Sequence, residues 1–519
     1  MQRRDVLKLG MASGLAGFSS LFSDGVRADD KKVLQGAKYD KLPQWRGFNL
    51  LEKFYGKNNR FVEDDFRWIS DFGFNFVRLP MDYRLWILDN DWRKINEKVL
   101  DEIDEAVKFG ERYGIHVNIN FHRAPGYTVA KPAEPKSVWT DPEALEVCLL
   151  HWKTFAKRYK GVSNDLVSFN LFNEPGNVEP ILAQCVAVHK AIIKGIREED
   201  PNRLIICDGY EWGNKPFFDL VDQRVAQATR GYAPMEISHY KASWIGNSDN
   251  FPVPTWPIIS GNGLLVSDSK REIKEEFRGA LVISGQFPNA TKLRLRVGTV
   301  SGTTLFAVFA DGKTIFEHQF KPGAGEGEWK TVVFKEEWNT YQNIYDRDYE
   351  TIIPAGTQKL EFRVMRGDWL TLTQFAVQSE QVEKETVISL SPGWQQPPSK
   401  FQYRESQNAS GHTAELLGGD VKDQMWLRNR LESWKELQNQ GCGVMVGELG
   451  AYSPCPHDVV LRWLADCLAN WREAGWGYAL WNFRGSFGIL DSGRPDVHYE
   501  NFHGHKLDRK MLKLLQENS

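Results

Sequence analysis

Eight short apolar runs, each followed by a stretch with helical spacing, constrain the fold of this chain more than any other feature. They are 45–49 (WRGFN), 74–80 (FNFVRLP), 115–122 (IHVNINFH), 166–173 (LVSFNLFN), 203–208, 235–240 (MEISHY), 443–448 (GVMVGE) and 476–482 (WGYALWN). Short runs rich in Val, Ile and Phe, bounded by turn-forming residues, read as strands. The stretches between them, such as NEKVLDEIDEAVKFGERYG, place apolar residues three and four apart and end on Gly114, a residue suited to closing a helix. Parallel neighbours need a crossover, so strand–helix alternation implies a parallel sheet, and eight units predict an α/β fold closed as a (β/α)8 TIM barrel.

The spacing breaks once. Between the runs at 235–240 and 443–448, residues from about 280 to 380 lose helical periodicity and alternate with a period of two, as in TKLRLRVGTV, TTLFAVFADGKTIFEHQF and QKLEFRVM. Ala310-Asp311-Gly312-Lys313 has the composition of a hairpin turn between two such runs. A β-sandwich inserted after barrel strand six is therefore expected, entered through FPVPTWP and left through PGWQQPPSKF. The expected organisation is an export signal at 1–28, the first part of the barrel (strands one to six) at 29–251, the sandwich at 252–400, and the second part of the barrel (strands seven and eight) at 401–519. VKDQMWLRNRLESWKELQNQG would resume the barrel as a helix closed by Gly441. An insertion on that side of the barrel would wall one end of a cleft and favour attack at chain ends, bind sugar itself, or stabilise the loop.

Hydrophobic residues make up 41% of the 519 residues and charged residues 26%, with a formal net charge of −3, a globular balance that gives no reason to expect a nucleic-acid partner. The leader MQRRDVLKLGMASGLAGFSSLFSDGVRADD pairs Arg3 and Arg4 ahead of a weakly apolar stretch and a small-residue exit at Ala28. It fits a twin-arginine export signal, with an ordinary secretory signal or an N-terminal anchor as alternatives, and places the mature chain in the periplasm or outside the cell. Beyond the leader no apolar run approaches the ~18 residues of a membrane span. Six scattered cysteines lack metal-ligand spacing, and buried thiols are expected of them rather than a disulfide framework.

Two carboxylates fall at strand ends on opposite sides of such a barrel: Glu174, in SFNLFNEPG, and Glu448, in VMVGELG. In barrel enzymes chemistry is done at the C-terminal ends of the strands. A pair of carboxyl groups about 5 to 5.5 Å apart there suits glycoside cleavage through a covalent intermediate, one group donating a proton to the leaving oxygen and the other attacking the anomeric carbon. The alternative for each is a salt-bridge partner at the barrel mouth. Their neighbours favour chemistry. Arg78 ends the second strand, His122 the third, His239 and Tyr240 the sixth, and Trp481 the eighth. An Arg beside Glu448 would hold it ionised while a dry pocket kept Glu174 protonated, and Asn173 could bond a sugar hydroxyl beside the reacting carbon. Trp481 offers a face to a sugar ring. Glu52, Trp86, Arg123, Tyr127, Trp139, Trp244, Asp491 and Arg494 are candidates for outer positions in the cleft.

In order and spacing, WRGFN, NFVRLP, NFH, FNLFNEP, SHY, VGELG and LWNFRG resemble glycoside hydrolase family 5, the retaining β-glycosidases that include cellulases, mannanases and exo-glucanases. The resemblance covers about residues 40 to 250 and 415 to 510. It implies a (β/α)8 barrel, Glu174 as acid/base, Glu448 as nucleophile, and Arg78, His122, Asn173, His239 and Trp481 around the bound sugar. That family usually carries His-x-Tyr after strand six, where this chain reads His239-Tyr240-Lys241, so either Tyr240 or another Tyr supports the nucleophile. The sandwich is similar to carbohydrate-binding modules in its strand pattern. Two carboxyl groups suffice for the chemistry, so neither a metal nor an organic cofactor is expected, and the partner is a β-linked oligo- or polysaccharide. A binding protein on a barrel scaffold, or a metal-dependent barrel hydrolase using His122 and His239, are the alternatives; no HxH ligand pair stands at a strand end.

Overall fold

The structure, a computed structural model, describes residues 36–408 and 411–518. The export segment expected at 1–28 lies outside them. The described chain divides into two compact units, one up to Thr255 resumed at Gln424, the other Trp256–Asp423.

The first unit is a barrel of eight parallel strands: β1 (Arg46–Asn49), β2 (Phe76–Asp82), β3 (His116–Ala124), β4 (Val167–Asn170), β5 (Ile205–Asp208), β6 (Ala226–Gly231), β7 (Val444–Leu449) and β8 (Gly477–Leu480). Each strand pairs with its sequence neighbour and β1 pairs with β8, which closes the ring. Trp45, Leu42, Leu204 and Met445 pack together just before or at the starts of their strands, plugging the end opposite the strand C-termini. The barrel wall is tight enough to require glycine. A Cβ on Gly47 of β1 would lie 1.7 Å from the Phe76 carbonyl oxygen of β2. Around the ring, helix Glu97–Tyr113 buries Val99, Leu100, Ile103, Ala106 and Val107 on one face and closes at Gly114, whose φ is +68°.

Seven strands fall where the sequence places them, within a few residues. The sixth does not. MEISHY, expected as a strand over 235–240, holds a single helical turn at Met235–Ser238, and β6 lies upstream as AQATRG. That strand hides from a hydrophobicity reading because its buried polar residues have distant partners. The Gln227 amide exchanges 2.8 Å bonds with the backbone of Phe217, and the Thr229 hydroxyl donates to the Gly213 carbonyl at 3.0 Å.

The second unit has two sheets, of eight and six strands, around an apolar core that includes Phe306, Phe362, Phe375 and Phe401. The turn at Asp311-Gly312 connects Thr304–Ala310 to Lys313–Phe320, both residues having positive φ as a two-residue hairpin demands. The sandwich continues past the expected boundary at residue 400, because Lys400–Asn408, Gly411–Gly418 and Asp420–Lys422 are strands of its two sheets. The barrel accordingly resumes at Gln424 and not at 401, and its next helical segment is broken into Gln424–Asn429 and Glu432–Asn439. All six cysteines are buried thiols. Among the described residues no helix is long and apolar enough to cross a membrane.

Candidate active site

The strand C-termini gather buried charges into one network. Glu448, near the end of β7 and 4% exposed, accepts at Oε1 from Arg78 Nη1 and, at 3.3 Å, from Arg230 Nη2. Its Oε2 accepts from the Tyr232 hydroxyl at 3.1 Å. Glu174 lies four residues beyond β4, with φ +50°, a left-handed backbone that its neighbours hold in place. Its N–H donates to Asp208 Oδ2 at 3.0 Å, and its carbonyl accepts from the Tyr127 hydroxyl at 2.7 Å. Its side chain accepts at Oε1 from Arg230 Nε at 2.7 Å. One planar guanidinium therefore bridges the two glutamates, reaching Glu174 through Nε and Glu448 through Nη2.

The ring of contacts closes on itself. Arg78 Nε donates to Asn170 Oδ1 at 3.0 Å, Asn170 Nδ2 to Asp208 Oδ1 at 2.9 Å, and Arg230 Nη2 to Asp208 Oδ2. Asn173 Oδ1 accepts from both arginines, at 2.8 Å and 3.1 Å, which leaves its buried Nδ2 without a protein partner. On one side Trp481, half-buried, stands edge-on to Phe54 at 5.2 Å and beside His122 at 5.9 Å. On the other, Tyr232 stands edge-on to His239 at 5.1 Å, with the exposed Trp244 and Phe487 beyond.

These surroundings move several of the site's groups away from their ordinary protonation. Burial, then the negative charge of Glu448, pushes Glu174 up to about 7, against the pull of Arg230. Burial also drives His122 well below its ordinary range, helped by Arg78, and brings His239 down to about 4, so both imidazoles are neutral at pH 7. Burial and Glu448 raise Tyr232 well above its ordinary value, which keeps its hydroxyl a hydrogen-bond donor. Arg230 is buried too, but Asp208, Glu448 and Glu174 outweigh the desolvation and hold it charged. Among the described residues no three His, Cys, Asp or Glu are grouped so as to hold a metal ion.

Residues 27–239 match the profile of the cellulase family, glycosyl hydrolase family 5. That stretch carries the barrel strands β1 to β6. The chain is 28% identical over 187 residues to endoglucanase C of Acetivibrio thermocellus, a match covering 35% of this chain and 53% of that protein. It is 29% identical over 222 residues to cellodextrinase A of Ruminococcus flavefaciens, covering 41% of this chain and 60% of that one. The chain thus spans a little over half the length of the curated relatives it matches. A crystal structure of a glycoside hydrolase superposes with a TM-score of 0.59 at 25% identity, over 92% of this chain and 99% of the other.

Within the barrel, Arg78, Asn173, Glu174 and Glu448 form one cluster bonded through Arg78 and Arg230, and His122, Trp481 and His239 flank it. Of the two alternatives left by the sequence, another tyrosine and not Tyr240 is bonded to Glu448. Tyr240 lies buried with the Lys241 ammonium 5.2 Å over its ring, and Tyr232 is the tyrosine on Glu448. The strand shift explains this. At the end of the true β6 the sequence reads Arg230-Gly231-Tyr232, so Tyr232 falls where His-x-Tyr puts its tyrosine, with Arg230 where the histidine would stand. His239 is reached from a one-turn helix and not from a strand end. Asp208 and Arg230 were missed. Asp208 closes a strand that the sequence does locate, but its partner sits on the strand that was misplaced.

Of the outer candidates, Trp86 and Arg494 are structural. Trp86 is fully buried and donates to His151 Nδ1 at 3.0 Å, and Arg494 donates to the Ala451 and Cys455 carbonyls. Trp139 is also buried, stacked on His189 at 5.8 Å. Trp244, 56% exposed, remains open to solvent. Burial and Asp65 push Glu52 up to about 7.

Proposed function

We propose that the barrel is the catalytic part of a retaining glycoside hydrolase that cleaves β-glycosidic bonds of a β-glucan or mannan-type oligo- or polysaccharide by double displacement. The observation that carries this reading is the bridged pair, with Glu174 raised to about 7 beside Glu448, which is bonded to two arginines and a tyrosine. A single guanidinium reaching both carboxyls favours the close spacing of about 5 to 5.5 Å used by retaining enzymes over the roughly 6.5 to 9.5 Å that makes room for a water.

In the first step Glu448 attacks the anomeric carbon while protonated Glu174 transfers its proton to the glycosidic oxygen, whose bond to that carbon breaks. In the second, ionised Glu174 takes a proton from water, which attacks the same carbon and releases Glu448. The free Asn173 Nδ2 is placed to bond a hydroxyl of the reacting sugar, and Trp481 to stack on its ring. The names of the curated relatives, an endoglucanase and a cellodextrinase, favour β-glucan. Sugar binding by the sandwich belongs to the same proposal, supported by Trp394, 55% exposed and edge-on to Trp369 at 5.4 Å. Export rests on the twin-arginine leader.

The test is hydrolysis of aryl β-glycosides and β-linked polysaccharides by the wild-type protein and by Glu448→Gln. Turnover by the wild type alone supports the reading and names the sugar; equal turnover by the variant removes Glu448 from the mechanism. Short products with little loss of viscosity would mark attack at chain ends, and a rapid fall in viscosity would mark attack within chains.

A further inference from the structure

Two buried charges take no bond-making part in double displacement, yet they grip the group that donates the proton. Asp208 accepts the Glu174 main-chain N–H at 3.0 Å, Arg230 donates from Nε to the Glu174 side chain at 2.7 Å, and the two are paired to each other. Both are almost wholly buried, at 0% and 2% side-chain exposure. The same arginine reaches Glu448 and Asn173.

We propose that Arg230 and Asp208 form a positioning pair, acting as a unit, that holds the acid/base carboxyl in register with the nucleophile without changing the charge of the site. The charge count supports the pairing. With Glu174 protonated, Arg78 and Arg230 balance Glu448 and Asp208. Remove the pair and Arg78 still balances Glu448. An arginine alone at the end of β6 would draw the proton from Glu174, and an aspartate alone would raise Glu174 further and leave a buried charge unpaired. Neither residue is useful without the other. The chain accordingly has Asp208 in the neighbouring strand, bonded through Asn170 to Arg78, so that the pair is anchored to the nucleophile's own cation.

This inference rests on the assignment of Glu174 as acid/base, and its test separates the two claims. The full chain is made as wild type, Arg230→His, Asp208→Asn and the double variant. Each is followed by carbon NMR titration of the Glu174 carboxyl, assigned with Glu174→Gln, by kcat and KM against pH, and by thermal unfolding. The groups facing Glu174 are Glu448, Arg230, Asp208, Tyr232 and Tyr127.

Arg230→His should move the Glu174 titration upward and lower kcat at least about tenfold, with a smaller change in KM. Asp208→Asn should move the titration downward, and because its shape is conserved it carries the test if Arg230→His fails to fold. The double variant should return the titration towards wild type and recover most of the lost kcat. Additive losses in the double variant, or a Glu174 titration that is the same in all folded variants, would overturn the pairing. Coupling seen in unfolding temperature alone would reduce the pair to a structural salt bridge and also overturn it. Titrations that move as stated in a protein inactive on every substrate would leave the pair standing and refute the enzymatic reading.

Discussion

Replacing Tyr232 by Phe removes one oxygen and nothing else from the contacts of Glu448. That oxygen donates at 3.1 Å to Oε2, while Oε1 keeps Arg78 and Arg230. A hydrogen bond to a charged group is worth about 1.5 to 3 kcal/mol. Were all of it expressed as the carboxylate turns to attack, the loss in kcat would be about tenfold to a hundredfold, each 1.36 kcal/mol being a factor of ten. Tyr240→Phe is the matched control, because that ring lies under Lys241 and the tyrosine bonded to Glu448 is Tyr232. The assay is kcat and KM of both variants on the substrate that the wild type turns over best, with unfolding temperatures measured alongside. The expected result is a fall of at least about tenfold in kcat for Tyr232→Phe and less than about twofold for Tyr240→Phe. A larger loss from Tyr240→Phe in a folded protein would refute the placement of β6 and everything argued from Arg230-Gly231-Tyr232.

In the proposed mechanism Glu174 acts as acid only while protonated, so kcat/KM should fall as pH rises through about 7. The same group makes stability depend on pH: its folded value lies above the ordinary 4.5, so its contribution is present below that value and lost as pH rises through about 7. Glu174→Gln should flatten both curves over this range, and an unchanged alkaline limb in a variant that retains activity would refute the assignment. Gly47→Ala should abolish soluble barrel, since its Cβ would meet the Phe76 backbone carbonyl at 1.7 Å, where no flexible side chain can give way; a variant purified in normal yield with wild-type unfolding temperature would contradict the strand packing described for β1 and β2.

Much of the barrel was legible because its strands are buried on both faces and therefore read as continuous apolar runs, as FNFVRLP and GVMVGE do. Glu174 and Glu448 could be found for the same reason, each being a carboxylate at the end of such a run. β6 was illegible because AQATRG buries Gln227, Thr229 and Arg230, whose partners lie elsewhere in the chain and leave no local mark. MEISHY has the alternation of a strand, with two apolar residues ahead of a His-Tyr pair, but Pro234 before it starts a helical turn. Losing that strand hid Arg230 and Tyr232, and with Arg230 the meaning of Asp208. The far edge of the sandwich lies 23 residues beyond the expected boundary, at 423 and not 400, because its last strands, KFQYRESQN and GHTAELLG, are largely polar and their alternation carries few large apolar residues.

The most direct test of the central claim is covalent trapping of the nucleophile. An activated 2-deoxy-2-fluoro β-glycoside of the sugar that the enzyme prefers slows breakdown of the glycosyl-enzyme, so the carboxylate that attacks keeps the label and can be found by peptide mass mapping. The predicted result is one sugar per chain, attached to Glu448, and none on Glu448→Gln. Label on any other residue, or hydrolysis of the unfluorinated substrate with inversion at the anomeric carbon, would contradict it.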